Sequence, residues 1–140
     1  MSAYKILCGL LYDGILDELR PNMEILVSGD KIRQVGRDVS APADAQVIDL
    51  SDRTVTPGMM DAHVHASFFD WREIDRDAVY YSNSMRTLAV AECARKALMA
   101  GFTTIRHVGW FREDNSLDVK RAIEMGYIQG ARMVMAPHFL

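Results

Sequence analysis

The chain has 140 residues, 49% of them hydrophobic and 25% charged, a balance typical of a folded globular protein and not of a disordered segment. Its formal net charge of −3, with acidic and basic residues interspersed, offers no basic stripe for nucleic acid and no polybasic segment for a membrane. The sequence shows neither a leader peptide nor an apolar run of about 18 residues, so we expect a cytoplasmic protein without a membrane span. Cys8 and Cys93 fall in a predicted strand and a predicted helix, where we expect free thiols.

The first part of the chain, residues 1–57, is predicted to be rich in β-strands. Apolar or alternating runs separated by polar turns predict strands over residues 4–11, 23–27, 31–35 and 45–50. The second and third strands would form a hairpin around Ser28-Gly29-Asp30. Four strands of this length are too few to close on themselves, so they predict part of a small sheet or β-sandwich.

The second part, residues 58–140, alternates strands with helices. After a strand that ends near His65, the pattern predicts a loop over 66–81, a helix over 83–100, a strand over 103–108, a helix over 117–125 and a strand over 132–136. The first helix is predicted to have Ser82 as its N-cap and Gly101 as its C-terminal stop. This order predicts an α/β fold with a parallel sheet and right-handed crossovers, either open or closed into a barrel.

The most specific motif is the segment Pro57–His65, in which a Pro-Gly turn leads into a short strand. Because side chains alternate along a strand, we expect Asp61, His63 and His65 on one face and the apolar residues between them on the other. Strands of a parallel sheet are normally apolar on both faces, so this polar row needs an explanation. Imidazoles are common zinc ligands, and two at one strand end can reach the same ion. The motif therefore predicts a divalent-metal site, and the alternative is a pair of hydrogen-bonded core histidines.

The residues Thr54–His65, followed downstream by Ala100-Gly101-Phe102-Thr103-Thr104-Ile105-Arg106, resemble the amidohydrolase superfamily, most nearly its imidazolonepropionase-like and prolidase-like members. Gly130-Ala131-Arg132 is similar to the Gly-Pro-Arg that precedes the third barrel strand in that family. The resemblance spans nearly the whole chain. It implies that residues 1–57 belong to a small β-sandwich domain. Residues 58–140 would then hold the first three strands and two helices of a (β/α)8 TIM-type barrel, incomplete in this chain.

By the same resemblance, His63 and His65 match the family's first two metal ligands, in a metal-dependent hydrolase that cleaves peptide-like or cyclic amide C–N bonds. The implied cofactor is one or two divalent ions, zinc by default, which activate water and polarise a carbonyl group. A full barrel needs about 250 residues, and a catalytic zinc takes three protein ligands. The other ligands and the catalytic aspartate would come from later strands, so no catalytic residue is assigned and we expect the isolated chain to be inactive.

Three further ionisable residues are weaker candidates for the metal. Asp61 shares the predicted face with the two histidines, and we interpret it as an orienting or structural carboxylate. His107 ends the second barrel strand, where relatives more often carry Asp, and we expect it to be a solvated or core histidine. His138 lies among the last three residues, a position where chain ends are commonly frayed.

The loop over residues 66–81 is rich in aromatic and charged side chains. Its aromatic residues are Phe68, Phe69, Trp71, Tyr80 and Tyr81. Two interpretations stay open for them, because they could line a substrate pocket or pack the loop onto the barrel. The charged residues Arg72, Glu73, Asp75, Arg76 and Asp77 are expected to form a solvated face. No substrate-binding residue is assigned.

Three interpretations of the whole chain come from different classes. The favoured one is the N-terminal portion of a metal-dependent amidohydrolase whose substrate is a small amide or dipeptide. The alternatives are one subunit of a split hydrolase completed by a second chain, and a non-catalytic remnant of the fold. An unclosed parallel sheet exposes unpaired backbone groups, so we expect association with the missing C-terminal half or with a second copy.

Overall fold

The computed structural model describes residues 2–67, 80–109 and 115–136, and the chain divides into two compact units, Met1–Pro57 and Gly58–Leu140. Each unit has its own hydrophobic core. Within the described ranges, no helix is both long enough and apolar enough to cross a membrane.

The first unit is a four-stranded mixed sheet. Its strands are β1 (Ala3–Leu11), β2 (Arg20–Ser28), β3 (Lys31–Gly36) and β4 (Gln46–Val55), in the spatial order β3-β2-β1-β4. Strand β1 pairs antiparallel with β2 and parallel with β4. The four predicted strands are present, and β4 continues past the predicted end at residue 50 because its pairing with β1 resumes after a register shift. The core of this unit consists of Cys8, Leu11, Met23 and Ile25.

Glu24 links three parts of the first unit. Its Oε2 lies 3.0 Å from Lys5 Nζ on β1 and accepts the backbone N–H of Val39 at 2.6 Å. The bond from Lys5 is the largest cause that lowers the pKa of the Glu24 carboxyl below its ordinary 4.5, and the Val39 N–H lowers it further. Since the folded pKa lies below the unfolded one, this stabilisation is present above about pH 4.5 and is lost as the pH falls through the folded value.

We therefore expect Glu24→Gln to lower the melting temperature of the first unit near neutral pH and to change it little well below the folded pKa. The measurement is thermal unfolding followed by circular dichroism across a pH series. A matched control is Asp30→Asn, because the Asp30–Lys31 pair is exposed and its atoms are 3.7 Å apart. An equal loss of stability at neutral and acid pH would show that the ionised carboxylate is not the cause.

The second unit alternates strands and helices, as the sequence predicted. Its elements are β5 (Met59–Val64), α1 (Asn83–Met99), β6 (Phe102–His107), α2 (Ser116–Glu124) and β7 (Arg132–Met135). The three strands form a parallel sheet in the order β5-β6-β7. Ser82 caps α1, with its Oγ accepting the Met85 N–H at 3.2 Å, and α1 ends before Gly101. The α/β class is therefore confirmed.

A compact core joins the helices to this parallel sheet. Its buried members are Ala66, Val90, Ala94, Ile105, Val119, Ala131 and Met133. Val90 and Ala94 lie on one side of α1, while Ile105 and Met133 come from the neighbouring strands β6 and β7. The helices therefore pack on one face of the sheet, and the carboxyl ends of β5 and β6 are held side by side. Both cysteines, Cys8 in the first unit and Cys93 on α1, are free thiols.

Candidate metal centre

His63 and His65 lie at the carboxyl end of β5, and their rings are arranged edge to face. Their ring centroids are 5.2 Å apart and their planes cross at 70°. The His63 side chain is exposed and that of His65 is half-buried. Two imidazoles at this separation can direct one nitrogen each toward a shared divalent ion, so the pair fits as part of a ligand set.

A backbone carbonyl orients the His65 ring. Its Nδ1 lies 3.0 Å from the carbonyl oxygen of Gly109, and because a carbonyl only accepts hydrogen bonds, Nδ1 holds the proton in the neutral ring. Nε2 is then the unprotonated ring nitrogen. Gly109 is buried and has a φ of +83°, a backbone conformation that residues other than glycine rarely adopt. This arrangement matches the usual support of metal-binding histidines, whose second ring N–H donates to a carbonyl or a carboxylate.

The Asp61 side chain lies on the α1 side of β5 together with Val64, so the prediction of a common face for Asp61, His63 and His65 was wrong. In the pairing of β5 with β6, Asp61 is opposite Ile105 and Val64 is opposite His107, which leaves one extra residue on β5. This β-bulge breaks the alternation, and both Asp61 and Val64 line the groove next to α1. The Oδ1 atom of Asp61 accepts the His63 N–H at 2.9 Å, so this carboxylate supports the bulged backbone that presents His63.

Cys93 on α1 lies near enough to Asp61 to be affected by its charge. Burial raises the pKa of the Cys93 thiol, and the nearby Asp61 carboxylate adds a smaller contribution in the same direction. The Asp61 carboxylate is therefore close to α1, which agrees with its interpretation as a structural group.

His107 is fully buried at the end of β6, as the core interpretation of this residue predicted. Its Nδ1 lies 3.2 Å from the Ala66 nitrogen and 3.2 Å from the Val64 oxygen, the backbone groups on either side of His65. Sequence reasoning did not detect this contact, because 41 residues separate His107 from Ala66 along the chain. Its only signal in the sequence was an unexpected histidine at a strand end.

Several predicted site residues fall outside the described ranges. They are His138, the aromatic residues Phe68, Phe69 and Trp71, and the charged residues from Arg72 to Asp77. Tyr80 is exposed and Tyr81 is half-buried. Within residues 2–67, 80–109 and 115–136, no three His, Cys, Asp or Glu side chains are grouped closely enough to hold a metal ion. The described part of the chain therefore offers two histidines, which could supply part of the ligand set of a metal ion.

Comparison with known proteins identifies the family of this arrangement. The profile of the amidohydrolase family matches residues 54–139, which include the two histidines and all of the parallel sheet. A crystal structure of a Xaa-Pro dipeptidase with bound methionine in its active site superposes with a TM-score of 0.85 at 27% identity, over 99% of this chain and 34% of the dipeptidase. Phenylurea hydrolase B superposes with a TM-score of 0.84 at 26% identity, over 99% of this chain and 31% of that enzyme.

Curated sequences give the same assignment over a shorter segment. The dihydroorotase of Geotalea daltonii is 46% identical over 43 residues, which is 31% of this chain and 10% of that enzyme. The chain thus spans about a third of the solved structures, and its match covers a tenth of this dihydroorotase. The matched proteins thus include a dipeptidase, a phenylurea hydrolase and a dihydroorotase. The resemblance inferred from residues 54–65 and 100–106 is confirmed, and the chain belongs to the amidohydrolase family.

Proposed function

We propose that this chain supplies the N-terminal β-sandwich strands, residues 1–57, and the opening strands of a TIM-type barrel, residues 58–140, to a metal-dependent amidohydrolase. The family assignment and the superposition on about a third of two hydrolases support this role. The parallel order β5-β6-β7 with α1 and α2 on one face is the arrangement with which such a barrel would begin.

His63 and His65 are proposed as two ligands of a divalent ion, zinc by default, in a centre of one or two ions. The observation that supports this most directly is the pair of rings 5.2 Å apart, with the His65 Nδ1 bonded to the Gly109 carbonyl. Both residues also lie at the carboxyl end of a parallel strand, where barrel enzymes place their active sites. A bound ion would supply Lewis acidity and a nucleophilic hydroxide near neutral pH. Within this chain, Gly109 orients His65 and the Asp61 carboxylate fixes the backbone of His63.

The proposed reaction is the hydrolysis of an amide or related C–N bond in a small molecule. A dipeptide, an N-acyl amino acid and a cyclic amide are the candidate substrates. The similarity to a Xaa-Pro dipeptidase, to phenylurea hydrolase B and to dihydroorotases supports this range. The ligands and the general base that complete the reaction are proposed to come from a polypeptide that completes the barrel.

A groove on the second unit supports the need for such a completing partner. It has a volume of about 710 Å³ and lies between β5 and α1. Apolar side chains dominate its lining, among them Val64, Met85, Leu88 and Phe102, and Leu88 is 65% exposed. Among the described strands, β5 pairs only with β6, so its other edge has no described strand as a partner. We infer that a further strand and helix, from a C-terminal half or a second copy, cover this edge and groove.

Native mass spectrometry combined with a hydrolysis assay tests the proposal. We expect the 15.8 kDa chain to retain zinc and to release no product from Xaa-Pro dipeptides or dihydroorotate, because the other ligands and the base are proposed to come from the completing polypeptide. The double variant His63→Ala/His65→Ala, prepared in the same way, should appear without the zinc mass. Hydrolysis by the isolated chain would refute the proposed incompleteness. Zinc retention by the double variant would refute the proposed ligands.

A further inference from the structure

His107 is buried beside the backbone that carries His65, although it is not one of the two proposed ligands. Its exposed fraction is 0%, and its own carbonyl oxygen accepts the Ala136 N–H at 2.8 Å, which attaches it to the end of β7. The imidazole is therefore fixed on a central strand of the sheet, and its Nδ1 is 3.2 Å from backbone atoms of both Val64 and Ala66.

Of these two backbone groups, the Ala66 N–H is the one that depends on His107. The Val64 oxygen already accepts the Val108 N–H at 3.0 Å, so it is satisfied without the imidazole. Ala66 is also 0% exposed, and in the described part of the chain the acceptor of its N–H is His107 Nδ1. A buried N–H that loses its acceptor is costly. The arrangement that satisfies both groups places the lone pair of Nδ1 toward Ala66 and the ring proton on Nε2.

The carboxyl end of β6 thus holds His65 at two points. His107 binds the backbone N–H of the next residue, Ala66, and two residues after His107 the Gly109 carbonyl binds the His65 ring. We propose that His107 is a positioning residue for His65, fixing the backbone from which the ring reaches the Gly109 carbonyl. The link to metal binding rests on the proposed function, in which His65 is a ligand, whereas the link to the orientation of the ring does not.

Two substitutions separate this role from simple core packing. In His107→Asn, Oδ1 is as many bonds from Cβ as Nδ1 is in histidine, so an acceptor for Ala66 is kept. In His107→Leu, the side chain stays large and apolar but the acceptor is lost. Ile105→Val is the matched packing control, since Ile105 is a buried neighbour on the same strand and the change removes one methylene group.

Nuclear magnetic resonance of the 140-residue chain gives two measurements that need no metal: hydrogen exchange of the Ala66 amide and the ring ¹⁵N shifts of His65, which report its tautomer. Zinc titration gives a third. We expect His107→Leu to speed exchange at Ala66, to mix the His65 tautomers and to weaken zinc binding about 10–100-fold. His107→Asn and Ile105→Val should stay near the parent chain in all three. If His107→Leu does not fold, His107→Gln is used instead. The amide oxygen of Gln lies one bond farther from Cβ than the Nδ1 of His, so it is misplaced as an acceptor for the Ala66 N–H.

Two results would overturn the inference. One is a His65 ring spectrum that does not change when the acceptor at residue 107 is removed. The other is an equal change in Ile105→Val, which would reduce the role of His107 to packing. If the parent chain takes up no zinc, the proposed metal function fails, while Ala66 exchange and the His65 tautomer still decide whether His107 positions the ring.

Discussion

Replacing either His63 or His65 by Ala should lower the zinc affinity of the chain by more than about 100-fold, which exceeds the loss expected on removing a supporting residue. Each substitution removes one of two neutral nitrogen donors, whose rings are 5.2 Å apart. A site that starts with two protein ligands cannot keep an ion firmly with one. The measurement is a competition titration near neutral pH against a chromophoric chelator of known affinity.

The matched control for these variants is His138→Ala, which removes an imidazole from the last three residues of the chain. We expect its zinc affinity to equal that of the parent chain. Asp61→Asn is a second control, since the Asp61 side chain lies toward α1 and accepts the His63 N–H, a bond that an amide oxygen can also accept. If His138→Ala weakened binding as much as His63→Ala, zinc would be held by scattered surface imidazoles and not by the proposed pair.

The second large effect is expected from Gly58→Ala, at the start of the strand that presents the two histidines. A Cβ on Gly58 would lie 2.7 Å from Thr103 Cβ, and the Oγ1 and Cγ2 atoms of Thr103 would be closer still. Thr103 belongs to β6, the neighbour of β5 in the parallel sheet, so relief of the clash requires the two strands to move apart. We expect the free energy of unfolding to fall by about 2–3 kcal/mol, the upper range for an overpacked site.

Urea denaturation followed at the helical circular-dichroism band measures this effect, because both described helices belong to the second unit. The double variant Gly58→Ala/Thr103→Ala should recover part of the loss, since it removes Oγ1 and Cγ2 and leaves only the Cβ contact. If Gly58→Ala had the stability of the parent chain, the close approach of the two strands would be wrong.

Much of the fold could be predicted because its signals are local. The Oγ of Ser82 does cap α1, and Gly101 with a φ of +92° does follow its end, so a cap residue and a stop residue were enough to place the helix. The strands of both units were likewise predicted from apolar runs between polar turns. These features depend on residues within a few positions of each other.

The details of the site were harder to predict because they depend on pairing between distant segments. Alternation placed Asp61 with the histidines, but the bulge that moves it depends on the register between β5 and β6, more than 40 residues apart. The contact of His65 with Gly109 spans 44 residues, and that of His107 with Ala66 spans 41. The sequence identified the two proposed ligands, whereas the groups that hold them in place became visible only in the folded chain.

The central claim is that His63 and His65 bind one divalent ion, and X-ray absorption at the zinc edge of the zinc-loaded chain tests it most directly. We predict scattering from two imidazole rings with zinc–nitrogen distances of about 2.0–2.1 Å, and from one ring in His63→Ala or His65→Ala prepared at a matched zinc loading. A spectrum without imidazole scattering, or one that is the same in the parent chain and in both variants, would contradict the proposed metal centre.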